Sequence, residues 1–189
     1  MPAPEELAKS LVSRAAAGVA RAKNLDKALA RIAGTLHSTF YVRRVSLSVL
    51  VGNDQVVIAG LWTAQPMRLN KGATLRASAT VLPEIVSRSG TVSNAECSPF
   101  LFSEALRQED LPAWIAVPVP NPRRIEGFLS LSARQNTFAG HREFFSILGT
   151  TMGDRLIELS RQTGSSMYGR ESVLRLERPN EPMPRPIAQ

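Results

Sequence analysis

The sequence predicts an α+β domain built on a central antiparallel sheet. Apolar residues recur at helical spacing over residues 7–40, and the period then drops to two over 44–63. A second pair of alternating runs, 114–119 and 125–132, precedes a last stretch of helical spacing. Each pair of strands is joined by a few residues, which demands hairpins, because a parallel return needs a long crossover.

Pro4-Glu5-Glu6 suits a helix start, with acidic side chains against the positive end of the dipole. Leu7, Leu11, Ala15 and Val19 follow every four residues with Val12 and Ala16 beside them, a narrow Ala-rich stripe expected to break or bend near Gly18. Asn24 reads as the N-cap of a second helix whose stripe of Leu25, Leu29, Ile32, Ala33 and Leu36 is heavier, with Phe40 after it. The second helix therefore reads as core and the first as a surface for a partner.

Val45, Leu47, Val49 and Val51 alternate with Arg44, Ser46 and Ser48, the pattern of a half-buried strand. Gly52-Asn53-Asp54 turns the chain into a second strand, Gln55–Thr63. The middle predicts a helix over 77–89 despite Pro83, a short strand at Thr91–Ser93, a loop over 94–99 and a brief helix over 101–107. Strands Trp114–Val119 and Ile125–Ser132 form the second hairpin, where Pro118 needs an edge, a bulge or an unpaired position. After Thr137, a long helix carries Phe145, Leu148, Met152, Leu156 and Leu159 and ends near Gly164. Periodicity then stops. Four prolines in residues 179–186 predict an extended or disordered tail, with a short docking segment at Val173, Leu174 and Leu176.

Composition narrows function before any motif does. The chain has 189 residues, 43% hydrophobic, enough for one domain with tails. Its acidic N-terminus does not read as a signal peptide, and no apolar run nears the roughly 18 residues that cross a bilayer, so a cytoplasmic protein without membrane contact is expected. Cys97 is the one cysteine, and His37 and His141 are the two histidines, too few for an internal disulfide or a metal cage. A net charge of +7 raises the question of nucleic acid, but the basic residues are scattered and aromatics make up 6%, which favours solvated helix faces.

One family fits this order of elements. The segment from Trp114 through Val117-Pro118 to Gly127, Leu129, Leu131 and Phe138, with its terminal amphipathic helix, resembles the C-terminal half of a GAF domain. The resemblance spans residues 25–162, and His141-Arg142-Glu143 departs from the acidic pair usual at that helix start. It implies a central antiparallel sheet of about six strands, with the N- and C-terminal helices packed on one face and a ligand cavity under the irregular segment on the other. Its motifs are structural and name no chemistry.

Known uses of that fold are each set against residues here. Bilin attachment needs a cysteine with a histidine beside it, and Cys97 has Glu96 and Ser98 as neighbours. Free methionine sulfoxide reduction relies on several cysteines. His37 and His141 read as helix-surface or capping residues, not as haem ligands. Asn70-Lys71 begins the residue set of the cyclic-nucleotide members, but the rest does not follow. There is no phosphate loop, nucleophile elbow or HExxH, and the adjoining Glu109 and Asp110 are not placed in a cleft by anything in the sequence. A non-catalytic protein without cofactor or metal is expected.

The resemblance implies a pocket lined or roofed by Trp62, Phe100, Phe102, Trp114, Ala116 and Ser130, set against the simpler reading that these fill the core. It also implies a homodimer seam of Leu7, Leu11, Ala15, Val19, Met152, Leu156 and Leu159. Residues 1–23 are then an N-terminal helix in a dimer contact, 24–164 the GAF-like domain and 165–189 a Pro-rich disordered tail. The function this implies is a bacterial sensory module, often the input of a transcription regulator, that binds a small molecule or a regulatory protein and signals through dimer helices. Residues after 162 show no helix-turn-helix. The other reading is an interaction scaffold with a filled pocket that docks a partner protein through its helices and tail.

Overall fold

In the computed structural model, residues 4–52, 54–67, 70–97, 101–163 and 174–175 are described. Helix α1 (Pro4–Ala20) runs through Gly18 without a break. Gly18 marks a contact instead: a Cβ there would lie 3.1 Å from Cβ of Arg31 on helix α2 (Leu25–Phe40). Asn24 caps α2 as its side chain predicts, with Oδ1 accepting from the Lys27 N–H at 2.9 Å. Tyr41 ends it in the left-handed region at φ 50°, and its N–H returns to the His37 carbonyl.

Strands β1 (Arg44–Val51) and β2 (Gln55–Thr63) form the first hairpin. Strand β3 (Thr74–Arg76), which the sequence pattern did not announce, adds to the free edge of β2 over three residues. The helix expected over 77–89 divides into a 3-10 turn at Ala77–Ala79 and helix α3 (Leu82–Arg88). Pro83 falls in the first turn of α3, where no intrahelical donor is needed. Strand β4 (Val92–Ser93), helix α4 (Leu101–Gln108) and the hairpin of β5 (Ala113–Asn121) and β6 (Arg124–Ala133) follow. Helix α5 (Arg142–Thr163) closes the domain, and Leu174–Arg175 (β7) pairs with Ile125 and Arg124 of β6. The rest of the expected tail, 165–189, lies outside the described residues.

The sheet order is β3-β2-β1-β6-β5-β4, antiparallel throughout, with β7 beside β6. It is an α+β architecture with the N- and C-terminal helices on one face. Strand β4 covers only Ile115 and Ala116 of β5, so Pro118 sits beyond its end and its missing donor interrupts no ladder there. Two bulges re-aim side chains. Ala59 is the extra residue between the Leu47–Gly60 and Ser48–Ile58 pairs, and Glu126 is the extra residue between Val119–Gly127 and Pro120–Ile125.

Each face of the sheet carries its own core. On one, α1, α2 and α5 bury Leu29, Ile32, Leu36, Leu148, Met152 and Leu156 against Val45, Leu47, Ile115, Val117, Leu129 and Leu131. Phe138 is buried there and stacks on Phe40 at 6.4 Å, while Phe145 meets Phe40 edge-on at 4.9 Å. Helix α5 lies close on β5 because it presents glycine twice. A Cβ at Gly149 would stand 2.2 Å from Cγ1 of Val117, and one at Gly153 would stand 2.4 Å from the Pro120 carbonyl oxygen. On the other face, Ile85, Leu82, Leu106 and Leu111 from α3, α4 and their flanks cover Leu50, Ile58, Trp114 and Phe128.

Candidate functional site

The polar half of β1 does not face solvent. Val45, Leu47 and Val49 point into the three-helix core, so Arg44, Ser46 and Ser48 point the other way, under α3 and α4, and all three are buried. Strand β6 repeats the arrangement: Leu129 and Leu131 face the helices, while Ser130 and Ser132 lie on the same side as Phe128. Pairing aligns the two strands and then β5. Arg44 stands opposite Ser132, which stands opposite Trp114; Ser46 stands opposite Ser130, which stands opposite Ala116. Leu61 of β2 flanks Ser46 from the other side.

The result is a cation and three hydroxyls set into an apolar layer. The Arg44 side chain is 0% exposed and among the largest fully buried in the chain. Its Nη1 donates to Ser46 Oγ at 2.6 Å. Burial pulls its guanidinium down to about 10, which leaves it protonated at neutral pH. Ser132 Oγ is buried and has no hydrogen-bond partner among the described residues. Beside this end of the sheet, Gln65 Nε2 donates to the Glu109 carbonyl at 3.1 Å, and Arg134 pairs with Asp110 at 2.8 Å. These contacts tie the segment after β2 to the connection before β5. On the far side of β5, Asn94 Oδ1 accepts from the Trp114 N–H and Asn94 N–H donates to the Trp114 carbonyl.

Of the expected pocket residues, Trp114, Ala116 and Ser130 are brought together on this face, with Ala116 directly across from Ser130. Trp62 is not among them. The Ala59 bulge leaves it packed, partly buried, against the helix-side core, on the opposite face of the sheet. Phe100 lies outside the described residues; Phe102 belongs to α4, but its side chain lies outside them too. Arg44, Ser46 and Ser132 were missed because alternating polar residues read as a solvated face. The signal that would have found them is the apolar content of residues 81–111, enough to cover a second side of the sheet.

The expected seam residues have a definite place within one chain. Leu11, Ala15 and Val19 of α1 and Met152, Leu156 and Leu159 of α5 are buried in the core these helices share with α2. Leu7 is 45% exposed, and Ile147 on α5 is 50% exposed.

Cys97 lies at the edge of the second core, where burial and Glu84 push its thiol up from the ordinary value. That direction disfavours the thiolate. His37 is exposed, its Nδ1 3.0 Å from the Val42 carbonyl, and His141 meets the Phe40 ring edge-on at 5.2 Å. Among the described residues no three His, Cys, Asp or Glu side chains gather as a metal-binding set, and no helix is long and apolar enough to cross a membrane.

No protein-family profile and no curated protein matches this sequence. Solved structures do match its shape. The GAF domain of A. aeolicus nlh2 in an inactive state aligns over 82% of this chain and 98% of its own, with TM-score 0.62 at 12% identity. The GAF domain of an Acinetobacter phosphoenolpyruvate-protein phosphotransferase covers 84% of this chain and 96% of its own, with TM-score 0.61 at 16% identity. Free methionine-R-sulfoxide reductase from Neisseria meningitidis, solved with its substrate, covers 86% and 95%, with TM-score 0.60 at 18% identity. Identities this low speak for the fold alone. In fold, this chain is a GAF-like domain.

Proposed function

We propose that this chain is a non-catalytic sensory module that binds a small molecule on the α3–α4 side of its sheet and signals through helices α1 and α5. The observation that carries the reading is the buried polar set of Arg44, Ser46, Ser130 and Ser132 beneath the short helices. Ligand sites are mostly apolar with a few polar groups that fix orientation, and this face has that composition. The similar folds include the GAF domain of an nlh2 protein, solved in an inactive state, and that of a phosphoenolpyruvate-protein phosphotransferase, and this likeness supports a sensory role. The reductase with the same fold suggests catalysis as an alternative, but a lone Cys97 with a raised thiol value is poorly suited to disulfide chemistry.

Signalling between subunits would use the outward faces of α1 and α5, where Leu7 and Ile147 are exposed. For a ligand to shift that contact, it must bind two arrangements of the helices unequally. Native mass spectrometry of the purified protein against its denatured mass tests the proposal. A dimer with a dissociable extra mass is expected; a bare monomer that gains no mass from a metabolite extract would overturn it.

A second reading, docking of a partner protein, is favoured by one feature. A groove of about 670 Å³ between α1 and α2 is lined by Arg21, Lys23, Lys27 and Arg31. Its partner would be acidic, and capture would weaken steeply with salt.

A further inference from the structure

We propose that the groove between α1 and α2 binds a short chain of phosphoryl groups, held by Arg21, Lys23, Lys27 and Arg31. The inference goes beyond the sheet-face reading, and it places a small anion where the second reading places a partner protein. Arg21 follows the end of α1, Lys23 lies in the connection, and Lys27 and Arg31 stand in the first two turns of α2. The turn between the helices thus gathers four exposed cations around one concave surface. None of the four forms an ion pair among the described residues. Asp26 is the one carboxylate within residues 9–31, and it is held by Lys71 at 2.7 Å. Arg21 Nε donates to the Ala17 carbonyl at 3.1 Å, which anchors that guanidinium beside the groove. A cleft lined by one sign of charge concentrates ions of the other.

The lining selects the kind of anion. Its remaining residues are Gly18, Ala22 and Ala30, with no aromatic or large apolar side chain among them. Partner proteins bind by seating large side chains, and single-stranded nucleic acids by stacking bases on aromatic ones. This groove offers neither kind of contact. Its volume of about 670 Å³ is that of a small-molecule site. Lys27 and Arg31 are four residues apart on one helix face, with roughly 5–6 Å between their Cβ atoms, so one compact ligand with several charges reaches both. An ammonium serves a phosphoryl group as a point charge, and a guanidinium serves it as a fork. A phosphoryl chain concentrates its charge in a small polar body, whereas a carboxylate peptide spreads it along an extended one.

Calorimetric titration of the full chain at fixed ionic strength, with EDTA present, compares tripolyphosphate, ATP, adenosine, orthophosphate and hexa-aspartate. Tripolyphosphate and ATP are expected to bind at least tenfold tighter than orthophosphate and hexa-aspartate, and adenosine not to bind. ATP equal to tripolyphosphate would assign the phosphoryl chain alone; ATP tighter would add the nucleoside to the same site. Lys27→Gln and Arg31→Gln change exposed positions, so the fold should persist while each weakens tripolyphosphate several-fold. Arg107→Gln removes the same charge from α4 and should leave binding unchanged. Orthophosphate or hexa-aspartate binding as tightly, an equal loss in Arg107→Gln, or no binding of any probe would overturn the assignment. Such a failure leaves the sheet-face reading in place, since none of the four cations belongs to that face.

Discussion

Arg44 and Asn24 show how a polar side chain can be costly where it is buried and stabilising where it is exposed. The drop of the Arg44 guanidinium to about 10 means that the folded protein disfavours its charge, by roughly 3 kcal/mol when converted at 1.36 kcal/mol per unit. Because the folded value lies below the unfolded one for a base, this penalty is present in full at neutral pH and is relieved only as pH rises above 10. Removing the charge relieves it, but also removes the hydrogen bond to Ser46, in a class worth about 1.5–3 kcal/mol. Arg44→Met is expected to lower stability in urea melts, because the buried Ser46 hydroxyl then loses its donor. A variant more stable than the parent would mean that the cost of burying the charge outweighs the bonds the guanidinium makes. Asn24 has no such conflict: its exposed side chain satisfies a helix donor at no burial cost. Asn24→Ala should lower stability by about 1 kcal/mol, read as a shift in the urea midpoint with unchanged slope.

At the scale of elements, the strands and helices are placed by small irregularities. Helix α5 rests on β5 through Gly149 and Gly153, four residues apart and so on one helix face. Gly153→Ala would put a methyl 2.4 Å from a backbone oxygen, which cannot move aside as a flexible side chain can. The substitution should cost about 1–3 kcal/mol, although alanine is the better helix former. A variant as stable as the parent would show that α5 can lift from the sheet cheaply. The bulge at Glu126 has a comparable effect on charge. It turns a carboxylate that is 6% exposed toward α5, where it accepts from Arg161 and from Arg124 Nε at 2.8 Å. Truncating that buried partner, Glu126→Ala, should cost about 1–2 kcal/mol, more than truncating the exposed Arg161, and a pair of calorimetric melts would rank the two.

Helix existence and type were legible at this scale, and so was most of the sheet. The α2 and α5 stripes, both hairpins, the Asn24 cap and the unpaired place for Pro118 all follow from local chemistry. Strand β3 was not legible, because three residues hold too little alternation to rise above their surroundings. The uninterrupted course of α1 was misjudged at Gly18 for a related reason. Glycine lowers helix propensity, but here it permits close approach to Arg31, and that packing outweighs the local cost of about 1 kcal/mol.

For the whole molecule, α1 belongs to the core of its own chain. Leu11, Ala15 and Val19 are buried against α2 and α5. Each large buried side chain is worth roughly 1.5–3 kcal/mol, against a total stability of about 5–15 kcal/mol. Deleting residues 1–20 should therefore lower the melting temperature by more than about 10 °C. A truncated protein that melts with the parent would mean that α1 detaches. The same burial decides how a dimer is tested. Leu11→Glu would strike the fold before any interface. Leu7→Glu changes an exposed position, so stability should move by less than about 0.5 kcal/mol while self-association, followed by sedimentation, weakens at least tenfold. An unchanged sedimentation profile would remove the outer face of α1 from the proposed interface.

The sequence by itself determined the α+β class, the antiparallel hairpins, the helix-side core and the type of family fold, because apolar period, turn residues and caps are set by neighbours within a few positions. The tertiary structure alone decided what the polar half of β1 and β6 does. Arg44 and Ser132 are 88 residues apart, and local pattern cannot tell a strand face open to water from one roofed by helices formed elsewhere in the chain. It also decided that Trp62 turns away from Trp114, since a one-residue bulge reverses the face of every side chain after it.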